Sequence, residues 1–316
     1  MTRDKRHATC RIGLTRQTDF LSFVIRHSSF VIGGSAAPIL HSYLFILHCR
    51  LQRLASQVAR SARLFPRFSF AGCYAILAFM NDHTQKTVLV TGGAKRIGAA
   101  IVRALALDGW RVLVHSWHSF PDAVRLCESL PKGSAVALPP HSLSSAADAE
   151  CFFFSLTEPL DAIVNNAASF SRGPLADADA SDFESMWRCN ALVPIQLTLL
   201  LNCDLTKRQS QGCVVNLLDQ RIQRPRGGDT PYALSKQTLA DFTESAAREL
   251  APTLRVNAVA PGAILPPEAA HEPAGGNPLG RKTTSEEVAE CVRFLLDAPF
   301  LTGQILFADS GQHLIG

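Results

Sequence analysis

Tyr232 and Lys236 stand four residues apart in the segment Thr230-Pro-Tyr-Ala-Leu-Ser-Lys236. On a helix this spacing places both side chains on one face, one turn apart. Thirteen residues before the Tyr, just past an apolar run that reads as a strand, is Asp219. A phenol, an ammonium and a carboxylate in one pocket can hold and move a proton. A Tyr near its free pKa of about 10 is a poor proton donor–acceptor at neutral pH, and an adjacent ammonium is expected to bring it closer to range. By itself Tyr-x-x-x-Lys is a weak signal. Its meaning depends on whether a nucleotide-binding unit precedes it.

Such a unit is legible upstream. Thr87–Val90 is a short β-branched run, followed at once by Thr91-Gly-Gly-Ala-Lys-Arg-Ile-Gly98 and an apolar-periodic helix through Leu107. Strand, glycine turn and helix offer backbone N–H groups and a helix N-terminus to a pyrophosphate. Gly92 suits the tight turn, and Gly98 suits close helix–sheet packing, with Arg96 and Ile97 between them. The next strand, Arg111–His115, ends where a carboxylate would bind the adenosine ribose of NAD. No acid occurs between Arg111 and Phe120; His115, Ser116, His118 and Ser119 are there instead. This favours NADPH as the cofactor, with Arg96, His115, His118 and Ser119 near its 2′-phosphate.

Further apolar runs at Ser134–Leu138, Leu160–Ala167, Gly212–Leu217, Leu254–Val259 and Gln304–Phe307 alternate with helical patterns. Those patterns lie at Asp122–Leu130, Ala146–Ser155, Asp182–Leu201, Pro231–Leu250 and Ser285–Leu296. Near-continuous apolar strands alternating with helices predict an α/β fold: a Rossmann-type, doubly wound parallel sheet of about seven strands with helices on both faces. Thr230 before Pro231 is expected to cap its helix.

Of the 316 residues, 47% are hydrophobic and 18% charged, ordinary for a globular protein. The net charge of +4 hides an asymmetry, because residues 1–79 hold 11 Lys/Arg against 2 Asp/Glu and the rest 20 against 25. A mildly acidic body argues against nucleic acid as a partner. The nine cysteines form no C-x-x-C pair and no cluster with His, so free thiols and no metal site are expected. Residues 1–79 show a short Ser-Phe-Val-Ile repeat and interrupted apolar runs without a sustained period. An Arg-rich transit leader and a membrane anchor are two readings of them. The expectation is a third: an extension upstream of a natural start at Met80, with one domain over 80–316, cytoplasmic and not membrane-bound.

With these pieces placed, residues 86–316 resemble the short-chain dehydrogenase/reductase family. The motifs occur in order: Thr91-Gly-x-x-x-x-Ile-Gly98, Asn165-Asn-Ala167, Asn190 in the long helix, Tyr232-x-x-x-Lys236, and Arg255-Val-Asn-Ala-Val-Ala-Pro-Gly262. The resemblance implies hydride transfer with NAD(P). It also implies Tyr232 as general acid, and Lys236 lowering its pKa and binding the nicotinamide ribose. Asn190 would support a proton relay, and Asn166, Ala167, Pro261 and Gly262 would border the cofactor. A homotetramer, with the Pro231–Leu250 helix at an interface, is implied as well.

Two departures refine this. Arg96 replaces the family's usual middle glycine, and Asp219 replaces its usual catalytic Ser. A Ser hydroxyl donates to a ketone oxygen as negative charge builds there, whereas a carboxylate would repel it. Asp219 suits a nitrogen that gains a proton as hydride reaches the neighbouring carbon. Both departures occur in the pteridine reductase branch, which the sequence also resembles at Asn165–Phe170, the His-rich end of strand two and Pro261–Glu268. That resemblance implies Phe170 stacking on a pteridine-like small-molecule substrate, Ser169 near the phosphates or the pterin, and a lid over Pro266–Gly280. His118 stands where the branch has Arg, and Ser142 where it has the Asp near the adenine. The expected proton donor is Asp219, or Tyr232 through water. Rival readings are a carbonyl reductase acting on 3-oxoacyl thioesters, and a non-catalytic NADP-binding regulator.

Overall fold

The computed structural model describes residues 85–223, 228–264 and 277–315. Expectations for residues 1–79, for Pro266–Glu268 and for most of the Pro266–Gly280 lid lie outside them.

Seven strands form one parallel sheet: β1 (Thr87–Val90), β2 (Arg111–Val114), β3 (Ala135–Ala137), β4 (Ala162–Asn165), β5 (Gly212–Leu217), β6 (Leu254–Pro261) and β7 (Ile305–Ala308). Their order is β3-β2-β1-β4-β5-β6-β7. The chain moves outward from β1 to β3, then returns to the other side of β1 with β4. At that reversal, connections leave to opposite faces and open a crevice beyond the strands' C-terminal ends.

Side chains alternate along each strand and feed two cores. Val88 and Val90 pack on one face with Val112, Val164 and Val215, under helix α1 (Arg96–Leu107) and helix α7 (Ser285–Asp297). Leu89 points the other way with Leu113, Ile163, Val214 and Val256, against Phe152 of α3 (Ala146–Ser155) and Leu197, Leu201 and Leu205 of α5 (Val193–Arg208). Each such buried side chain stabilises the fold by roughly 1.5–3 kcal/mol. Helix α2 (Phe120–Glu128) follows β2, α4 (Ala180–Trp187) precedes α5, and α6 (Thr230–Glu249) carries the Tyr-x-x-x-Lys pair.

Two helices differ from expectation. The predicted single helix over Asp182–Leu201 is α4, a π-helical turn at Arg188–Leu192, then α5. Pro194 accounts for the change: it cannot donate to the Asn190 carbonyl, and its ring crowds that group, so the helix widens by one residue there. In α6 the cap position is Asp229 and not Thr230; Thr230 and Pro231 are the first two helical residues.

Candidate functional site

The C-terminal ends of the strands enclose a cleft of about 870 Å³. Gly92, Arg96, Ile97 and Gly98 line it from the β1 turn, and His115, His118 and Ser119 from the end of β2. Ser142 comes from the loop after β3, Asn166, Ala167, Ser169 and Phe170 from the loop after β4, and Pro261 and Gly262 from the end of β6. Asp219, Tyr232 and Lys236 close the far side. Asn190 lies behind the wall.

The β1 turn is built for close approach. Gly92 has φ +62, and a Cβ on Gly98 would meet the Gly92 carbonyl oxygen at 2.2 Å. The Asn166 side-chain amide donates to the Thr91 and Gly92 carbonyls, both at 2.9 Å, while Thr91 Oγ1 accepts the Asn166 and Ala167 N–H groups at 3.0 Å. The turn is thereby clamped to the Asn-Asn-Ala loop, leaving the α1 N-terminus open to the cleft. A backbone cradle with no room for a Cβ, beside a helix N-terminus, fits a dinucleotide pyrophosphate. Arg96, at the position normally taken by glycine, has φ +53. That left-handed conformation is where glycine is favoured.

His115, expected at the cofactor end, lines the cleft as a core histidine. It is buried, its Nδ1 accepts from the Gly92 N–H at 3.3 Å, and its Nε2 faces the His141 carbonyl at 2.9 Å. Burial pushes its pKa down to about 4, so the neutral ring donates through Nε2 and braces the turn. Positive charge at that end of the cleft comes from Arg96 and Lys95, the latter paired with Asp122 at 2.9 Å.

At the other end, Tyr232 Oη donates to Asp219 Oδ2 at 3.3 Å. Lys236 Nζ donates to the Leu217 carbonyl at 2.7 Å and sits 5.9 Å from the Tyr232 ring centre. Burial pushes the Lys236 pKa down to about 8, and the Asp219 charge partly opposes that shift. The expectation that Lys236 would lower the Tyr232 pKa does not hold in this geometry: burial, then the Asp219 charge, raise it. Tyr232 is therefore held as a neutral phenol. Asn190 Oδ1 accepts the Ser169 N–H at 2.7 Å, and its Nδ2 donates to the Ser169 carbonyl at 2.8 Å and to Ser235 Oγ at 3.0 Å. Ser235 Oγ in turn donates to the Tyr232 carbonyl at 2.7 Å. The π turn thus ties the substrate-side loop to the helix bearing Tyr232. Phe170 meets the Tyr232 ring edge-on, centroids 4.8 Å apart and planes at 89°.

Arg221 is the main residue that sequence reasoning missed. It is buried in the cleft wall, 3.1 Å from Asp219 Oδ2 and 2.8 Å from Asp229 Oδ2. The available signal was an Arg flanked by acids at two and eight residues. Cys189 also lines the cleft, its thiol pKa raised by burial. Among the described residues, no group of three or more His, Cys, Asp or Glu could hold a metal ion, and no helix is long and apolar enough to cross a membrane.

A doubly wound sheet, a glycine cradle at its switch point and a Tyr–Lys pair opposite define a dinucleotide-dependent oxidoreductase of the α/β class. The chain belongs to the short-chain dehydrogenase family, whose model matches residues 86–274. It is 35% identical to a granaticin polyketide synthase putative ketoacyl reductase 2 of Streptomyces violaceoruber, over 72% of this chain and 96% of that protein. It is 32% identical to pteridine reductase 1 of Leishmania tarentolae, over 73% and 97% respectively. Among solved structures it is similar to FolM alternative dihydrofolate reductase 1 from Brucella canis complexed with NADP, with TM-score 0.67 and 31% identity, covering 73% of this chain and 95% of that one.

Proposed function

We propose that the protein is an NADPH-dependent reductase of a C=N bond in a pteridine, of the dihydropterin or dihydrofolate type. The observation that carries this reading is the Asp219 carboxylate within hydrogen-bonding distance of the Tyr232 hydroxyl. When bound, NADPH supplies the hydride. The ring nitrogen beside the reduced carbon then takes a proton, which Tyr232 donates directly or through water. Asp219 accepts an N–H from the heterocycle and attracts the charge building there, while repelling the developing oxyanion of a ketone. Phe170, about half exposed, offers a flat apolar face to a planar ring. The relatives named above as a pteridine reductase and an alternative dihydrofolate reductase support the reading.

Reduction of 3-oxoacyl thioesters is the competing reading, favoured by the polyketide relative. Asp219→Ser separates them. Oxidation of NADPH by dihydrobiopterin, dihydrofolate and acetoacetyl thioester is measured with parent and variant. The expected result is pteridine turnover by the parent, lost on the order of 100-fold in the variant. Undiminished native activity together with a gain of ketone activity would sink the proposal.

Arg96 supports NADPH over NADH, since a cation by the adenosine end favours a 2′-phosphate. Arg96→Gly relieves left-handed strain of roughly 1–2 kcal/mol, offset in part by added freedom in the unfolded chain. Fluorescence titration is expected to show NADPH affinity falling about tenfold, with NADH affinity and thermal stability little changed. Equal losses for both cofactors would remove Arg96 from the phosphate site.

A further inference from the structure

Arg221 belongs to the short turn Gln220–Ile222 that directly follows Asp219. Its side chain is only 10% exposed, and a buried guanidinium requires compensating charge. Two carboxylates provide it. One is Asp219, whose Oδ2 also accepts from the Tyr232 hydroxyl and whose Oδ1 accepts the Arg221 backbone N–H at 2.9 Å. The other is Asp229, with a side chain 1% exposed. Asp229 holds the cap position of α6, yet its carboxylate makes no capping hydrogen bond and meets Arg221. One guanidinium therefore joins the carboxylate after β5 to the first turn of the helix bearing Tyr232 and Lys236. It also lies 5.9 Å from the Phe170 ring centre.

We propose that Arg221 is a positioning residue: it fixes the Asp219 carboxylate against the Tyr232 hydroxyl by tying it, through Asp229, to the N-terminus of α6. Without the guanidinium, the Asp219 carboxylate would be held by the Arg221 backbone N–H on Oδ1 and by the long 3.3 Å Tyr232 contact on Oδ2, and Oδ2 could turn towards the cleft. The guanidinium limits that freedom by meeting carboxylates of two elements at once, with Nη1 donating to Asp219 Oδ2 at 3.1 Å and Nε ion-paired with Asp229 Oδ2 at 2.8 Å, a spread of nitrogens that a Lys ammonium cannot reproduce. The inference rests on the reading that Asp219 and Tyr232 face the substrate, but not on what the substrate is.

The test uses Arg221→Gln, Arg221→Lys and Asp229→Asn in the full chain loaded with NADPH. A crystal structure of Arg221→Gln is expected to show Asp219 turned away from Tyr232, with α6 otherwise unmoved. kcat is expected to fall on the order of 100-fold, as for a misplacement of about 1 Å, while the NADPH dissociation constant from protein fluorescence stays unchanged. Arg221→Lys should not restore kcat, and Asp229→Asn should lower it by a smaller factor. In an Asp219→Asn background, removing Arg221 should cost no further rate, because it acts through that carboxylate. Asp219 still bonded to Tyr232 in the variant, or rate losses that multiply independently, would overturn the proposal. Should Arg221→Gln not fold, the structures of Arg221→Lys and Asp229→Asn decide. Rates are read on whichever substrate the parent turns over, so turnover of ketones alone defeats the pteridine reading and leaves this test intact.

Discussion

Tyr232→Phe is expected to keep the fold and the cofactor and to lose the reaction. The hydroxyl makes one hydrogen bond, to Asp219 at 3.3 Å, and its removal costs about 1 kcal/mol of stability or less. The ring keeps its edge-on packing with Phe170. The proton donor disappears, however, and general acid catalysis contributes on the order of 10²–10⁴-fold. Burial and the Asp219 charge keep the phenol protonated throughout the neutral range. Single-turnover oxidation of NADPH by the variant should be slowed by that factor with NADPH affinity intact. A rate within about tenfold of the parent would assign the proton to Asp219 or to solvent.

How far such a site can be read without coordinates depends on the kind of physics behind each residue. β1 and β5 match their expected limits because strands buried on both faces have uninterrupted apolar runs. Tyr232 and Lys236 were legible because one helical turn brings them together whatever surrounds them. The break at Asn190 was legible in principle from Pro194, whose missing N–H acts locally.

His115 was legible as a residue and not as a role. Its position at the end of β2 is local, but its neutrality comes from burial, against Phe152 among others, which only the fold provides. Tyr232 gives the same lesson. The spacing to Lys236 promised a depressed phenol pKa, yet the ammonium is spent on the Leu217 carbonyl, and burial and the Asp219 charge push the other way. Arg221 is one of three arginines over Asp219–Arg226, and nothing in their local sequence separates it from the other two. Only the meeting of β5 with the start of α6 shows that Arg221 is buried between two carboxylates.

Gly98→Ala is expected to weaken cofactor binding on the order of 100-fold by one methyl group. The added Cβ would lie 2.2 Å from the Gly92 carbonyl oxygen and 2.7 Å from Asn166 Nδ2, both well inside contact distance. Neither neighbour can yield cheaply. The Gly92 carbonyl is backbone, and Asn166 Nδ2 is held by two hydrogen bonds to the same turn. Relief requires the turn and the start of α1 to separate, which displaces the N–H groups facing the cleft. Overpacking of this kind costs about 1–3 kcal/mol of stability, and misplacing the cradle should weaken NADPH binding on the order of 100-fold. Gly109→Ala is the control, because Gly109 has φ +91 but open space where its Cβ would be. It carries the backbone penalty of a left-handed residue, roughly 1–2 kcal/mol, without touching the turn. Calorimetric titration with NADPH should therefore separate two variants of similar melting temperature: Gly109→Ala binds as the parent does and Gly98→Ala on the order of 100-fold more weakly. Equal affinity in both would mean that the cofactor phosphates lie elsewhere than on the β1 turn.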